Sequence, residues 1–524
     1  MNGTAARQEA DKILAELPDR ISDVIKPFAR HSPDHPALVE DAVTWTYADL
    51  TAIVARTAIT LVEYGVRPGD RVMIVSENSL ALAAILLAAS EIDAWSVVVN
   101  PRLSEREIDL IRDHSGVRRV FYTIEVSDGA RQHANRHGAG IASLHGLGTL
   151  GIGPLNEETV PEPVETDRSR QVAALIYTSG TTGNPKGVML THRNVLFSAR
   201  IVGTQSSVTP ADKAYCVLPI SHIVGYSAIL IASLMFGCTV QIAPRYDPAA
   251  LAAAIAEDGI TLLFGVPATY QRLLEYKAVA GIAKLPRGKL RSLAVAGAPL
   301  DLTLKSQIEA EFGLPLLNGY GITECAPGIS SVRASAPRSD NAVGSLIAGI
   351  EARLVKPGGV AVAPGEIGEL HVRGPNVMRG YYRAPEATAT AIDRDGWFNT
   401  GDLARFDGDV LFIVGRTKEL IIRSGFNVYP AEVEAVLNEH PAVVQSAVIG
   451  RAVTGNEEVV AFVQLLPGSS AKPADLMAHA AQELAPYKRP CEIIMLDALP
   501  AGSTGKILKH RLAEVARDQA MRQV

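Results

Sequence analysis

"AALIYTSGTTGNPKGVMLT", Ala173 to Thr191, begins with a short apolar run and ends on another, around a centre of glycines, hydroxyl residues and one lysine. The leading run reads as a buried strand, and Thr191 reads as the cap of a following helix. Between them, glycines let backbone N–H groups turn inward on an anion, and hydroxyls add donors without bulk. Lys186 adds a charge that can reach a β- or γ-phosphate. Strand, glycine-rich turn and helix in succession suit a phosphate-binding turn of an α/β protein. The order is not G-x-x-x-x-G-K-[ST], because Lys186 follows Pro185 and precedes Gly187.

Working outward, short β-branched runs alternate with helix-length segments on both sides. "RVMIVS" (71–76), "WSVVVN" (95–100) and "RRVFYT" (118–123) precede the turn; "AYCVLP", "TVQIAP", "ITLLFG" and "SLAVAG" follow it. Such alternation predicts parallel sheets with helices on both faces. Leu80 to Ala89 is apolar throughout but far short of the roughly 20 residues of a membrane span, so it predicts a buried helix. Gly148 to Arg170, rich in Gly, Pro and acids, predicts a surface connection. From about 340 to 415, "GEIGELHVRGP" and "RFDGDVLFIVGR" predict a small antiparallel β unit. Beyond Arg416 to Glu419 the pattern returns to mixed β and α, with Pro430 at a helix start. The expected fold is therefore α/β: two parallel sheet lobes plus a small β unit over 1–417, then a small mobile α+β domain over 418–524.

A chain of 524 residues exceeds one compact core. Its 47% hydrophobic and 20% charged residues are the balance of a soluble globular protein. Net charge is −6, without a basic run, which argues against a nucleic-acid partner. Cys216, Cys238, Cys325 and Cys491 lie far apart with no metal-ligand spacing, as in a cytoplasmic protein with reduced thiols. The charged N-terminus has no apolar core of a signal peptide, and no integral membrane segment is expected.

Further motifs stand in order along the chain: "NGYGITECAP" (318–327), "WFNTGDLARF" (397–406), "GRTKELIIRSGFNVYPAEVE" (415–434) and "LPAGSTGKILKHRL" (499–512). Together with S-G-T-T-G-x-P-K-G they resemble the adenylate-forming superfamily, and within it the AMP-forming acyl-CoA synthetases (fatty acyl-CoA and aryl-CoA ligases). The resemblance spans almost the whole chain. It implies ATP, Mg²⁺ and coenzyme A as small-molecule partners of a carboxylic acid, and a reaction in two halves. An acyl-AMP forms with release of pyrophosphate, and the thiol of coenzyme A then displaces AMP. Either a monomer or a homodimer fits.

By this resemblance Thr178, Ser179, Gly180, Thr181, Thr182 and Lys186 hold phosphates. Thr323 contacts the α-phosphate, and Glu324 supplies the hard oxygen that Mg²⁺ requires. Asn318, Gly319, Tyr320 and Gly321 face adenine, with Gly297, Ala298 and Pro299 on its other side. Asp402 accepts the ribose hydroxyls and Arg416 donates to the same ribose. Lys506 stabilises charge as the carboxylate attacks the α-phosphorus. Lys418 is the hinge about which the C-terminal domain turns, bringing Ser424 and Gly425 to the pantetheine arm. Tyr487 and Arg489, in "PYKRP", match a segment that contacts coenzyme A; Asn456 stands where some relatives place a large residue against its adenine.

"PISHIVGYSA" (219–228) resembles the family segment that gates the acyl site, with His222 as the gate. No aspartate follows it to pair with an ammonium, which argues against an amino-acid substrate. The implied acyl pocket comprises His222, Val224, Gly225, Phe264, Ala296, Gly297, Gly319, Ala326 and Pro327. It is apolar, lined by small residues, and offers no cation for a second carboxylate. "TECAP" and "SGFNVYP" look like fatty acyl-CoA synthetases, whereas "SHIVGYSA" looks nearer to aryl-CoA ligases. A fatty acid is favoured; a benzoate- or cinnamate-like acid, or loading of a carrier protein, are the alternatives.

Overall fold

The computed structural model describes residues 3–178, 185–356, 359–360, 362–424, 426–453, 456–466, 468–502 and 507–522. Arg71–Val75 and Trp95–Val99 are buried at every position, as parallel strands covered on both faces must be. They pair in parallel with each other, and Arg71–Val75 pairs likewise with Arg119–Tyr122. Arg71 is a buried guanidinium inside that sheet. It is tolerated because it donates to the carbonyls of Gly69, Ser115, Gly116 and Val160. Helix Leu80–Glu91, apolar on every side, is buried from Leu80 to Ser90 as its composition predicts. Ser79 caps it by accepting from the Leu82 N–H.

Among the described residues this first sheet has eight strands. Gly380–Tyr381, Lys186–Thr191 and Val172–Thr178 lie on one side, and the hairpin Gly140–Leu144 with Gly148–Ile152 lies at the other edge. Gly148–Ile152 is thus a strand antiparallel to Arg119–Tyr122, so the expected surface connection shortens to 153–170.

A second sheet runs through thirteen strands among the described residues. Its parallel part carries Thr239–Ile242, Lys213–Cys216, Leu262–Gly265, Ser292–Val295 and Leu316–Gly321 in that spatial order. Leu263, Leu293 and Val295 turn to helices Pro248–Glu257, Pro267–Val279 and Leu302–Phe312 on one face. The other face joins the central core around helices Leu80–Glu91 and His192–Gln205. The glycine-rich strands after 340 form the expected antiparallel unit, and it is continuous with the parallel sheet. Gly328–Ser331 pairs with Leu316–Gly321, Gly344–Leu346 pairs with Val410–Arg416, and the antiparallel strands extend the same sheet. Only the edge bonds of Leu316–Gly321 decide this, and they are long-range.

After the turn Thr417–Glu419 the chain builds its own core from Ile421, Val433, Leu437, Val448, Val459, Leu476 and Ile493. Strands Val443–Val453, Asn456–Leu465 and Glu492–Met495 carry it, with helices Pro430–Asn438 and Pro473–Glu483 packed alongside. No described strand of this part pairs with either larger sheet. Among the described residues no helix is long and apolar enough to cross a membrane.

Candidate active site

The phosphate-loop stretch is a hairpin. Val172–Thr178 and Lys186–Thr191 pair antiparallel, with Thr178 opposite Lys186 and Tyr177 opposite Gly187. Ser179, Gly180, Thr181 and Thr182 lie outside the described residues. The expected helix does start at His192, capped by Thr191 accepting from Asn194 N–H, but a six-residue strand separates it from the loop. No helix N-terminus therefore follows directly on this turn. The ammonium of Lys186 stands 4.8 Å from the centre of the Tyr381 ring.

Glu324 lies in the short turn Thr323–Cys325, directly beyond strand Leu316–Gly321. Its carboxylate accepts from the Tyr381 hydroxyl at 2.9 Å, and its backbone carbonyl accepts from Met378 N–H at 2.8 Å. Asn376 donates to the carbonyls of Cys325 and Gly328, bracketing the turn. Burial, then the neighbouring Glu324 charge, push the Tyr381 phenol well up, so it stays a donor. Thr323 is buried beside Glu324.

Tyr320 and Asp402 meet across the site. The Tyr320 hydroxyl donates to Asp402 Oδ2 at 2.5 Å, while Arg416 Nε reaches Oδ1 at 2.9 Å. Asp402 and Arg416 are cross-strand partners on Phe398–Asp407 and Val410–Arg416, which explains their adjacency despite the gap in sequence. Burial, then Asp402, push the Tyr320 phenol far up. For Arg416, burial opposes its charge, but Asp402 and Glu419 outweigh it and raise the guanidinium.

Gly297, Ala298 and Pro299 follow strand Ser292–Val295, and Gly319, Tyr320 and Gly321 end the neighbouring strand Leu316–Gly321. Both segments thus sit at the carboxyl ends of adjacent parallel strands, where open α/β sheets bind ligands. Gly297 has φ +88°, a conformation that favours glycine. The Asn318 amide donates to the carbonyls of Asn341 and Ala342.

His222 precedes a rare feature, a π-helix over Val224–Ile231. A Cβ on Gly225 would lie 2.3 Å from the Pro219 carbonyl oxygen, so this glycine permits close packing against 218–219. Val224, Phe264, Val266, Tyr320 and Ile322 are half-buried against one shared core. Ala296 is half-buried and Ala326 and Pro327 are buried at the neighbouring strand ends. The residues expected to line an acyl pocket thus come from the π-helix and the segment before it, from the ends of three adjacent strands and from the Glu324 turn.

On the C-terminal side, Lys506 and Gly425 lie outside the described residues. The flanking Ala501 and Ile507 are bridged, and Lys509 pairs with Glu419 at 3.1 Å and Glu434 at 2.8 Å. Lys418 sits in the turn between Thr417, bonded to Glu369 of the large sheet, and Glu419. Ser424 N–H donates to Asn456 Oδ1, giving that asparagine a local partner. Tyr487 stacks on Phe426, with ring centroids 4.6 Å apart. Arg489 donates through Nε and Nη2 to the Leu484 and Ala481 carbonyls, holding the end of helix Pro473–Glu483.

Tyr381 and Asn376 escaped the reading of motifs. Their stretch has no periodicity, and Gly380–Tyr381 is a strand of only two residues. The structure shows why 380 is a glycine: its φ is +145° and a Cβ there would press on Thr388 at 2.8 Å.

Comparison with known proteins agrees with this geometry. The AMP-binding enzyme model matches residues 25–382, and the AMP-binding enzyme C-terminal domain model matches 432–506. The chain is 37% identical to the feruloyl-CoA synthase of an Amycolatopsis species over 495 residues, covering 92% of this chain and 96% of that one. It is 31% identical to 4-coumarate–CoA ligase 3 of Oryza sativa subsp. japonica over 540 residues, covering 97% and 96%. The crystal structure of ATP-bound MatB from Rhodopseudomonas palustris superposes with a TM-score of 0.83 at 30% identity, covering 95% and 99%. The chain belongs to the AMP-binding enzyme family of the adenylate-forming superfamily and is an AMP-forming carboxylic acid–CoA ligase. ATP, Mg²⁺ and coenzyme A are the small molecules that this reaction requires.

Proposed function

We propose that this ligase activates an aromatic carboxylic acid of the hydroxycinnamate or benzoate class. The observation that carries the acid class is the 37% identity, over nearly all of both chains, to a feruloyl-CoA synthase. The half-buried Phe264 and Val224, together with the side-chain-free positions Gly297 and Gly319 at the neighbouring strand ends, suit a flat apolar ring. A fatty acid, the first expectation from "TECAP" and "SGFNVYP", finds no counterpart in the two ligases named above.

In the first half-reaction the acid carboxylate attacks the α-phosphorus. An O–P bond forms, and the bond to the bridging oxygen breaks as pyrophosphate leaves with its electron pair. Thr178, Ser179, Gly180, Thr181, Thr182 and Lys186 would hold the departing phosphates. Thr323 would donate to the α-phosphate, Tyr320 would lie along adenine, and Asp402 with Arg416 would take the ribose. Lys506 would place its ammonium between carboxylate and phosphate as negative charge builds. His222 would gate the acyl pocket.

Glu324 suits a magnesium ligand on its own surroundings. Its carboxylate has the Tyr381 phenol on Oε1, and among the described residues no cluster of three or more His, Cys, Asp or Glu exists to form a protein-only cage. A single carboxylate with substrate phosphates completing the shell is the arrangement Mg²⁺ favours. The ion supplies charge neutralisation on the phosphates.

In the second half-reaction the coenzyme A thiolate attacks the acyl carbon; a C–S bond forms and AMP leaves. We place the division between the two moving parts at 417/418. Lys418 would be the pivot, with Ser424, Gly425, Tyr487 and Arg489 on the face presented to coenzyme A. The test is coenzyme A-dependent AMP release across ferulate, 4-coumarate, benzoate, octanoate and palmitate. The reading expects kcat/KM for an aromatic acid to exceed that for either fatty acid by about tenfold or more; the reverse order would overturn it.

A further inference from the structure

We propose that Tyr381 is a positioning residue that joins the metal-binding and phosphate-binding arms of the site; the proposal rests on the roles given above to Glu324 and Lys186. Its phenol donates to Glu324 Oε1 at 2.9 Å, which leaves Oε2 for the cation and fixes the plane of the carboxylate. The face of the same ring lies 4.8 Å from the Lys186 ammonium, within the range of a cation–π contact. One side chain thus touches the residues assigned to the metal and to the phosphates, through two different interactions.

The backbone around it makes the joint rigid. Tyr381 pairs with Val188 and Gly380 with Met189 in the strand that begins at Lys186. Tyr382 N–H donates to Gly187 O at 2.8 Å and Arg379 N–H to Met189 O at 3.0 Å. On the other side Met378 N–H holds Glu324 O, and Asn376 brackets the Cys325–Gly328 turn. Asn194, from the helix after the hairpin, donates in turn to Pro375 O and Val377 O. Residues 376–382 therefore strap the hairpin to the Glu324 turn, with Tyr381 as the only side chain of the strap that these contacts bring to both Glu324 and Lys186. The Tyr381 N–H is itself held by Thr388 Oγ1 at 2.9 Å, which fixes where the ring starts.

The two interactions separate by substitution. Tyr381→Phe removes the hydroxyl and keeps the ring; Tyr381→Leu removes both. The readout is ATP affinity by isothermal titration, without acid or coenzyme A, once with excess Mg²⁺ and once with EDTA. Expected for Tyr381→Phe is about tenfold weaker binding of Mg·ATP, with metal-free ATP affinity within about twofold of wild type. Tyr381→Leu should weaken both, metal-free ATP by about threefold or more. Glu324→Gln is the companion variant. If it weakens Mg·ATP binding while Tyr381→Phe matches wild type, the joint is refuted and the metal assignment stands. If Glu324→Gln leaves the metal dependence unchanged, the metal assignment falls and the joint falls with it. Equal losses of Tyr381→Phe with and without metal would refute the joint too, because that is the pattern of a general packing defect.

Discussion

Asp402→Asn is the sharpest perturbation of the nucleotide site. Asp402 is 2% exposed, and its two oxygens accept from Tyr320 and Arg416 at 2.5 and 2.9 Å. The amide keeps the shape and one acceptor but removes the charge, so Arg416 loses its counter-ion. Breaking a fully buried pair costs about 3–5 kcal/mol, but the Arg416 side chain is 45% exposed and water can take over part of its solvation. The stability loss is accordingly about 1–2 kcal/mol. The loss in nucleotide binding should be larger. Hydrogen bonds to a charged acceptor are worth about 1.5–3 kcal/mol each, and the amide replaces part of one. A net loss of about 2–3 kcal/mol corresponds to roughly 30- to 150-fold in Kd. The assay is titration with ATP and with 2′,3′-dideoxy-ATP. Wild type should prefer ATP by about that factor, and the variant's preference should shrink to a few-fold, as a double cycle requires. A variant that keeps the full wild-type preference would show that Asp402 does not read the ribose.

Lys506→Ala should slow acyl-AMP formation by roughly 10²-fold or more, about 3 kcal/mol, in ATP–pyrophosphate exchange; near-wild-type exchange would remove the lysine from the chemistry. Gly225→Ala pushes a methyl to 2.3 Å from the Pro219 carbonyl, so it should cost about 1–3 kcal/mol and lower the melting temperature by several degrees. An unchanged melt would mean that the π-helix is not held by that contact. His192 is buried, accepts from Ile21 N–H at Nδ1, and burial pushes it down to about 4. With the folded value below the unfolded one, about 6.5, its neutral form is fully tolerated above pH 6.5. Stability then falls as pH drops towards 4, by about 2 kcal/mol at pH 5. Denaturant titrations of wild type and His192→Gln should show that this slope flattens in the variant; parallel pH profiles would contradict it.

Much of the fold was legible because its signals are local. The runs at Arg71–Val75, Trp95–Val99, Leu262–Gly265 and Ser292–Val295 carry the β-branched and apolar character of buried strands. Thr191 and Pro430 likewise mark helix starts by chemistry confined to one turn. What escaped was set by distant partners. The strand Lys186–Thr191 exists because Val172–Thr178 and Gly380–Tyr381 flank it, and no period within six residues distinguishes it from the start of a helix. The glycine-rich strands after 340 read correctly as antiparallel, but nothing local reveals that Gly328–Ser331 joins them to the parallel sheet. The hold of the Arg489 guanidinium on the helix end five residues back was not legible in "PYKRP" either, because its partners are backbone carbonyls that only the fold brings to it. Tyr381 was invisible for the converse reason: its importance lies entirely in what it touches.

In the proposed reaction one site splits ATP between the α- and β-phosphates by forming an acyl-AMP before coenzyme A takes part. The direct measurement is exchange of labelled pyrophosphate into ATP, with Mg²⁺ and 4-coumarate or ferulate and with coenzyme A left out. Exchange should depend on the acid, proceed without coenzyme A, and be lost in the Lys186→Ala and Glu324→Gln enzymes. Exchange that requires coenzyme A, or turnover that yields ADP and phosphate in place of AMP and pyrophosphate, would contradict it.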